Sequence, residues 1–363
     1  MNITGKITGI KYKVSLAKEL PTFNIGDFDV NNFPPAFIIN DGRNSFAVSK
    51  WVSPKRTRSY PYERVYHTLN ISKKITIIPV VKDEGKAGDR DFLQWDSVSL
   101  MSLLDVYVIL AYYTSATRNG KKIKRQQFDT AYILSKIKEI KQYHSSSLHW
   151  NLNELKTNLH RVIDKTKSSY QQMEKLMGIQ FHGVSGLDNF KNKIGEDVSL
   201  FMKFSRGKSE KAQAREYVTV QPKENLSTKT KAKITITNYL GGQYFFTVDE
   251  VKHTKDNLQL IEKKHSKKGL LPAKGDIIDG VLKMILFSNL TNTKADEKKV
   301  NCMAVLELTS LKLKGEINSN SSESSIKRFF KSNAFSKSRT EFLIKLFKEA
   351  SANNFTVSIK QVK

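Results

Sequence analysis

The sequence predicts an α/β protein: a mixed sheet with a βαβ unit and a helical appendage, followed by a second, basic α+β domain. Three observations carry that expectation. "KKITIIPVV" and "DVYVILAYY" are continuous apolar runs, the mark of strands buried on both faces, and the stretch between them has helical spacing. A long helical pattern follows, from Phe128 to about Met177. Residues 203–233 then break the composition, with nine basic and three acidic residues and few apolar ones. The expected division is therefore an α/β domain over 1–200, a basic connection over 201–233 and an α+β domain over 234–363.

Each element has a local reason. "KITGIKYKVSL", "AFIIN" and "SFAVSKWV" are β-rich runs, and "NDGRN" from Asn40 to Asn44 supplies a hairpin turn between the last two. "YPYERVYHTL" reads as one helical stretch with Glu63 and His67 a turn apart. Leu93, Val98, Met101 and Leu104 lie close to one face of a helix between the two apolar runs, which makes a βαβ unit with a parallel strand pair. Ile133, Ile137 and Ile140 mark one side of the next helix, and the helical region stops at Gly178, a C-cap. Further on, "KITITNY-LGG-QYFFTVDEV" is a hairpin and "GDIIDGVLKMILFSNL" a helix starting near Pro272. "VNCMAVLELTSLKLKG" is a strand, and "SESSIKRFFKSNAFSKSRTEFLIKLFKEA" a final helical pair.

The composition points to a partner. A chain of 363 residues with 39% hydrophobic residues can bury two cores. Sixty-one Lys plus Arg against 35 Asp plus Glu give a net charge of +26, a field that attracts polyanions, with nucleic acid foremost. The single Cys302 rules out a disulfide framework and a cysteine-based zinc site, and fits a reducing cytoplasm. The start "MNITGKITGIKYK" lacks a signal peptide's apolar segment and no run of about 18 apolar residues exists. The expectation is a cytoplasmic protein without a membrane anchor.

Against that basic background, five of the 35 acidic residues fall within the 14 positions from Asp83 to Asp96, directly after an apolar strand. Lys82, Asp83 and Glu84, then Asp89 and Asp91, would crowd carboxylates and a lysine at a strand's C-terminal edge, where open α/β sheets hold ligands. A hard divalent cation relieves the repulsion, and Mg²⁺ bound by Glu84, Asp89 and Asp91 would activate water against a phosphate, with Lys82 stabilising developing charge. The plain alternative is a hydrophilic surface loop.

A second stretch, "KWVSPKRTRSYPYERVY", interleaves Lys50, Lys55, Arg56, Arg58 and Arg64 with Trp51, Tyr60, Tyr62 and Tyr66. Basic residues among aromatics suit phosphate contacts and stacking, and Lys229, Lys231 and Lys233 extend the basic set. Glu63 is either an additional carboxylate for a metal or water, or one half of a salt bridge with an arginine. Asp276, Asp279 and Lys283 share one helical face, where acids in the first turn and an i,i+4 pair serve the helix itself. His144 and His149 have no metal-binding spacing, and no phosphate-binding glycine loop is present.

The stretches "WVSPKRTRSYPYERVY", "ITIIPVVKDEGKAGDRDFLQWDSVSLMSLLDVYVILAYY" and "KGDIIDGVLKMILFSN" together resemble a group of bacterial type II restriction endonucleases. The resemblance covers residues 45–160 well and 265–315 more loosely. It implies Mg²⁺-dependent, site-specific cleavage of double-stranded DNA and a cognate methyltransferase. Many such enzymes use a PD-(D/E)xK core: antiparallel strands carrying an Asp and an acid-x-Lys, then a helix and a parallel strand. The sequence departs from this where Val80, not an acid, stands two residues before Lys82, and no PD precedes it. Either Lys82 is the catalytic lysine, with Glu63 or Asp83 as a displaced carboxylate, or Glu84, Asp89 and Asp91 form a different arrangement. A homodimer is expected if the DNA site is palindromic. The competing expectations are a non-enzymatic DNA-binding protein and a metal-dependent RNA nuclease.

Overall fold

The computed structural model describes residues 1–51, 62–120, 122–178, 180–195, 197–218, 231–239, 243–253 and 257–362. The chain is mixed α/β and divides into two compact units, one of Lys18–Gly207 and one that joins Met1–Ala17 to Lys208–Lys363. The sequence boundary near residue 200 is thus close to the observed one. The first strand, however, β1 (Asn2–Ile7), belongs with the C-terminal half.

The Lys18–Gly207 unit is built on β2 (Thr22–Asn24), β3 (Ala36–Asn40), β4 (Ser45–Lys50), the short α1 (Tyr62–Tyr66), β5 (Lys73–Pro79), β6 (Val81–Asp83), β7 (Arg90–Phe92), α2 (Trp95–Leu103) and β8 (Val106–Ala111). Its main sheet runs β2-β3-β4-β5-β8. β4, β5 and β8 are mutually parallel and β3 is antiparallel to β4 across the expected hairpin, where Gly42 takes φ 88°. A left-handed φ of this kind is costly for any residue with a Cβ, which explains the glycine. β5 lies between β4 and β8, and β8 is buried along its whole length, as the apolar runs require. β5–α2–β8 is the predicted βαβ unit. The acidic stretch between its strand and helix is not a bare loop, because it forms a second, two-stranded ladder of β6 and β7.

The rest of this unit is a β9 (Tyr113–Asn119) and β10 (Lys122–Phe128) ribbon followed by helices α3 (Thr130–Lys141), α4 (Ser147–Asn153), α5 (Leu159–Met177), α6 (Ser185–Ile194) and α7 (Val198–Val218), with a π-helical turn at Glu154–Asn158. Asp129 and Ser146 cap α3 and α4 through their side chains, and Gly178 ends α5 at φ 61°. Ile133, Ile137 and Ile140 are buried as expected. α7 corrects the sequence reading of a connection at 203–233. Residues up to Val218 are helical, because Lys, Glu, Ala, Gln and Arg are good helix formers even where the apolar pattern is weak.

The other unit contains β1 and then β11 (Ala232–Asn238), β12 (Gln243–Val248), β13 (Glu250–His253), β14 (Asn257–Ser266), α8 (Lys274–Ser288), β15 (Thr291–Ala295), β16 (Lys298–Lys299), β17 (Asn301–Ser310), β18 (Glu316–Asn318), α9 (Glu323–Ser332), α10 (Lys337–Ala352) and β19 (Phe355–Gln361). One sheet runs β12-β11-β1-β15-β16, with β1 parallel to β11 and antiparallel to β15. The alternating burial of β1 turns Ile3 and Ile7 into the core and leaves Thr4 and Lys6 outside. The chain after β1 is pinned to α10. Glu349 accepts from the amides of Ser15 and Leu16 at 2.8 and 3.0 Å, and Asn353 exchanges two hydrogen bonds with the Lys13 backbone.

The second sheet of this unit runs β13-β14-β17-β19-β18, with β14, β17 and β19 mutually parallel and antiparallel strands at both edges. α8 is the crossover between β14 and β17. It is apolar almost all round, from Ile277 to Phe287, and is correspondingly buried. Among the described residues, no helix is long and apolar enough to cross a membrane.

Candidate active site

The acidic stretch of the first unit divides between the two faces of the β6–β7 ladder, with Lys82, Glu84 and Asp91 toward one side and Asp83 toward the other. Lys82 and Asp83 are adjacent on β6, so their side chains leave opposite faces of the strand. Lys82 is 1% exposed, binds Glu84 Oε1 at 2.6 Å and lies 5.4 Å from the centroid of the Trp51 ring. Asp83 accepts instead from the Gly85 amide at 2.9 Å, from His182 Nδ1 at 2.7 Å and from the His182 amide at 3.2 Å, with Arg90 at 3.9 Å. β6 pairs Lys82 with Asp91, while Asp89 is exposed in the turn and its carbonyl receives the Glu84 amide. Among the described residues no three or more His, Cys, Asp or Glu gather as a metal-holding group. Glu63 bridges Lys18 at 3.4 Å and comes within 3.7 Å of His67.

The predicted DNA contacts divide similarly. Lys55, Arg56, Arg58 and Lys229 lie outside the described residues. Lys50 is a correction: it is 5% exposed, donates to the carbonyls of Val30 and Asn31, and burial lowers its pKa to about 8. Lys231 is also buried, at 4% exposure. A buried ammonium already bound to backbone offers nothing to a phosphate outside. Arg64 donates to the Lys50 carbonyl at 3.1 Å, and Lys233 is half-buried on β11.

A different set of residues has the order that the first unit lacks. Asp249 follows β12, and the β13–β14 ladder pairs Glu250 with Ile261 and Val251 with Leu260. Asp249 itself lies in the bend between β12 and β13, and that register continued by one step would set it opposite Glu262. Residues opposite each other on antiparallel strands share a face, and so do residues two apart on one strand. Asp249, Glu262 and Lys264 therefore project from one face of β13–β14, with Asp249 Oδ2 accepting from the intervening Lys263 amide at 2.8 Å. Helix α8 and the parallel β17 come next in the chain. The order is Asp, acid-x-Lys, helix, parallel strand.

Charge balance within this face is tight. Glu262 is 3% exposed, and its two oxygens receive Lys264 Nζ at 2.8 Å and Lys283 Nζ, from α8, at 2.7 Å. Burial alone would raise the Glu262 carboxyl, but the ammonium groups of Lys283 and Lys264 outweigh it and hold the group ionised well below the usual carboxylate range. The same pairing raises Lys264 against its own burial. Gly280 keeps α8 close to the sheet here: a Cβ at that position would stand 2.7 Å from Leu306 Cδ1 and 3.3 Å from Lys264 Cε. Lys283 reaches from the helix across to the strand. On the opposite face of β14, Lys263 binds Glu250 at 2.6 Å and approaches Glu307 at 3.5 Å, and Lys360 closes on Glu307 at 2.6 Å. That network is internally neutralised.

Asp249 and Glu262 supply only oxygen donors, two carboxylates set across a strand pair. Mg²⁺ binds with one or two protein carboxylates and completes its shell with water and substrate phosphate, so this pair fits it. The sequence reading missed these residues because it passed from the hairpin at 233–251 directly to the helix near Pro272. The signal was present in "TVDEVKHTKDNLQLIEKKH": Leu258 and Leu260 continue in period two into Glu262 and Lys264, one acid-x-Lys on a strand. No protein-family model, curated protein or solved structure matches the chain.

Proposed function

We propose that the chain is a cytoplasmic, Mg²⁺-dependent endonuclease that cuts double-stranded DNA at specific sites, as a homodimer paired with a cognate methyltransferase. Its reacting phosphate would lie at Asp249, Glu262 and Lys264. The observation that supports the reading is the β13–β14 register, which continued by one step sets Asp249 opposite Glu262, with Lys264 two residues on and a helical crossover to a parallel strand behind them. Asp249 and Glu262 would hold the cation, which would supply Lewis acidity and acidify a water. The Lys264 ammonium sits beside them to balance charge gathering on the phosphoryl oxygens as water attacks phosphorus and the P–O bond to the leaving strand breaks. The overall charge of +26 draws a polyanionic substrate to the chain.

The test is incubation of the purified chain with plasmid and Mg²⁺. Discrete fragments are expected, and EDTA abolishes them. Glu262→Gln and Lys264→Met each slow cleavage roughly a hundredfold or more while duplex binding remains. Asp83→Asn and Glu84→Gln, in the first unit, leave the rate near wild type. The reverse pattern moves the reacting centre to the β6–β7 hairpin. Bound but intact DNA makes the chain a non-enzymatic binder, and degraded RNA makes it a ribonuclease.

A further inference from the structure

Glu262 is doubly engaged, and this has a consequence for cation entry. Both carboxylate oxygens are taken by ammonium groups, Lys264 at 2.8 Å and Lys283 at 2.7 Å. Each oxygen keeps a second lone pair, but with an ammonium on both the single negative charge is already more than balanced, so a divalent cation must compete with the two lysines for it. Lys264 is on the same strand, two residues away, and is committed to the substrate side of the reaction proposed above. Lys283 comes from a different element, on the α8 turn that follows Gly280, and has no such task. It also has somewhere else to go: its Nζ lies 6.0 Å from the centroid of the Phe246 ring on β12, a cation–π seat at the outer limit of useful distance.

We infer that Lys283 is a resident counter-ion of the active site, competing with the divalent cation for Glu262 and swinging off it when metal and DNA arrive together. It is a positioning residue: it acts through Glu262 and touches neither the phosphate nor the attacking water. In the absence of substrate it keeps the buried carboxylate neutralised, so the free protein binds metal weakly. DNA phosphate then contributes the remaining ligand and tips the exchange. Metal binding thereby becomes coupled to substrate binding, with the coupling located in one side chain.

This inference rests on the assignment of Asp249, Glu262 and Lys264 to the active site, and the experiment separates the two. Mn²⁺ alone, without DNA, is titrated calorimetrically into the full chain as wild type, Lys283→Met, Lys283→Gln, Lys283→Arg and Glu262→Gln. Losing the competing ammonium should tighten Mn²⁺ binding roughly tenfold or more in both Lys283→Met and Lys283→Gln, the factor a charged hydrogen bond is worth. Lys283→Arg should stay near wild type and Glu262→Gln should bind no Mn²⁺. A variant that had merely lost structure would bind more weakly, so tightening cannot come from damage. Glu262-dependent binding that fails to tighten in the two neutral variants overturns the counter-ion role and leaves the active-site assignment standing. Binding indifferent to Glu262, or absent from every protein including the Lys283 variants, overturns both.

Discussion

Replacing Glu262 by Gln should destabilise the unit formed by Met1–Ala17 and Lys208–Lys363, and its size can be worked from the geometry. Glu262 is buried and holds two lysines whose side chains are only partly exposed, 25% for Lys264 and 16% for Lys283. Removing one partner of a buried ion pair costs about 3–5 kcal/mol, because the other charge is left uncompensated. Two features reduce the loss here: glutamine still accepts one hydrogen bond, and either ammonium can turn toward water. A net cost of about 3 kcal/mol is therefore expected, or roughly 6–12 °C in Tm for a unit of this size. The sign with pH follows from the lowered carboxyl pKa. The unfolded chain takes its proton near the ordinary 4.5, the folded one only at lower pH, so the contribution is complete above 4.5 and is lost as pH falls below it. All three tryptophans, Trp51, Trp95 and Trp150, lie in the Lys18–Gly207 unit. A calorimetric transition without a fluorescence counterpart therefore belongs to the unit under test. A Tm change under about 2 °C, or a wild-type advantage that persists unchanged from pH 6 down to pH 2, would refute the account of the paired lysines.

Two further outcomes are expected. Lys337, Lys345 and Lys348 are exposed on one face of α10, and changing all three to Ala should flatten the salt dependence of duplex binding by up to about 0.9 in slope per lost phosphate contact; an unchanged slope in a filter-binding titration removes this helix from the DNA surface. His67 is buried, and burial, then Lys18, lowers its pKa to about 4. It is neutral when folded while the unfolded chain protonates near 6.5, so the stability of the Lys18–Gly207 unit should fall as pH drops from about 6.5 toward 4. His67→Gln should flatten that slope in tryptophan-monitored denaturation, and an identical slope in the variant assigns the effect elsewhere.

Much of the Lys18–Gly207 unit was legible because its strands are buried on both faces. β5 and β8 are unbroken apolar runs, and period and length identify them without knowledge of their neighbours. The caps at Asp129 and Gly178 are likewise local chemistry. What escaped notice depended on pairing between distant residues. Nothing in "NITGKI" says that its partners are 232–238 and 291–295. The candidate site was missed for a related reason. Acids crowded in sequence need not be crowded in space, because on a strand adjacent side chains diverge, and Lys82 and Asp83 do so. Asp249 and Glu262 are thirteen positions apart and would meet only through a ladder register, while the acid-x-Lys spacing within β14 is a local pattern.

β1 is the middle strand of its five-stranded sheet, flanked by β11 on one side and β15 on the other. Ile3 pairs with Ile234 on one side and with Ala295 on the other, so both partners lie far down the chain. Without β1, the strands β11 and β15 have no spine between them, and seating it closes a long loop of chain. A fragment starting at residue 208 would carry that gap.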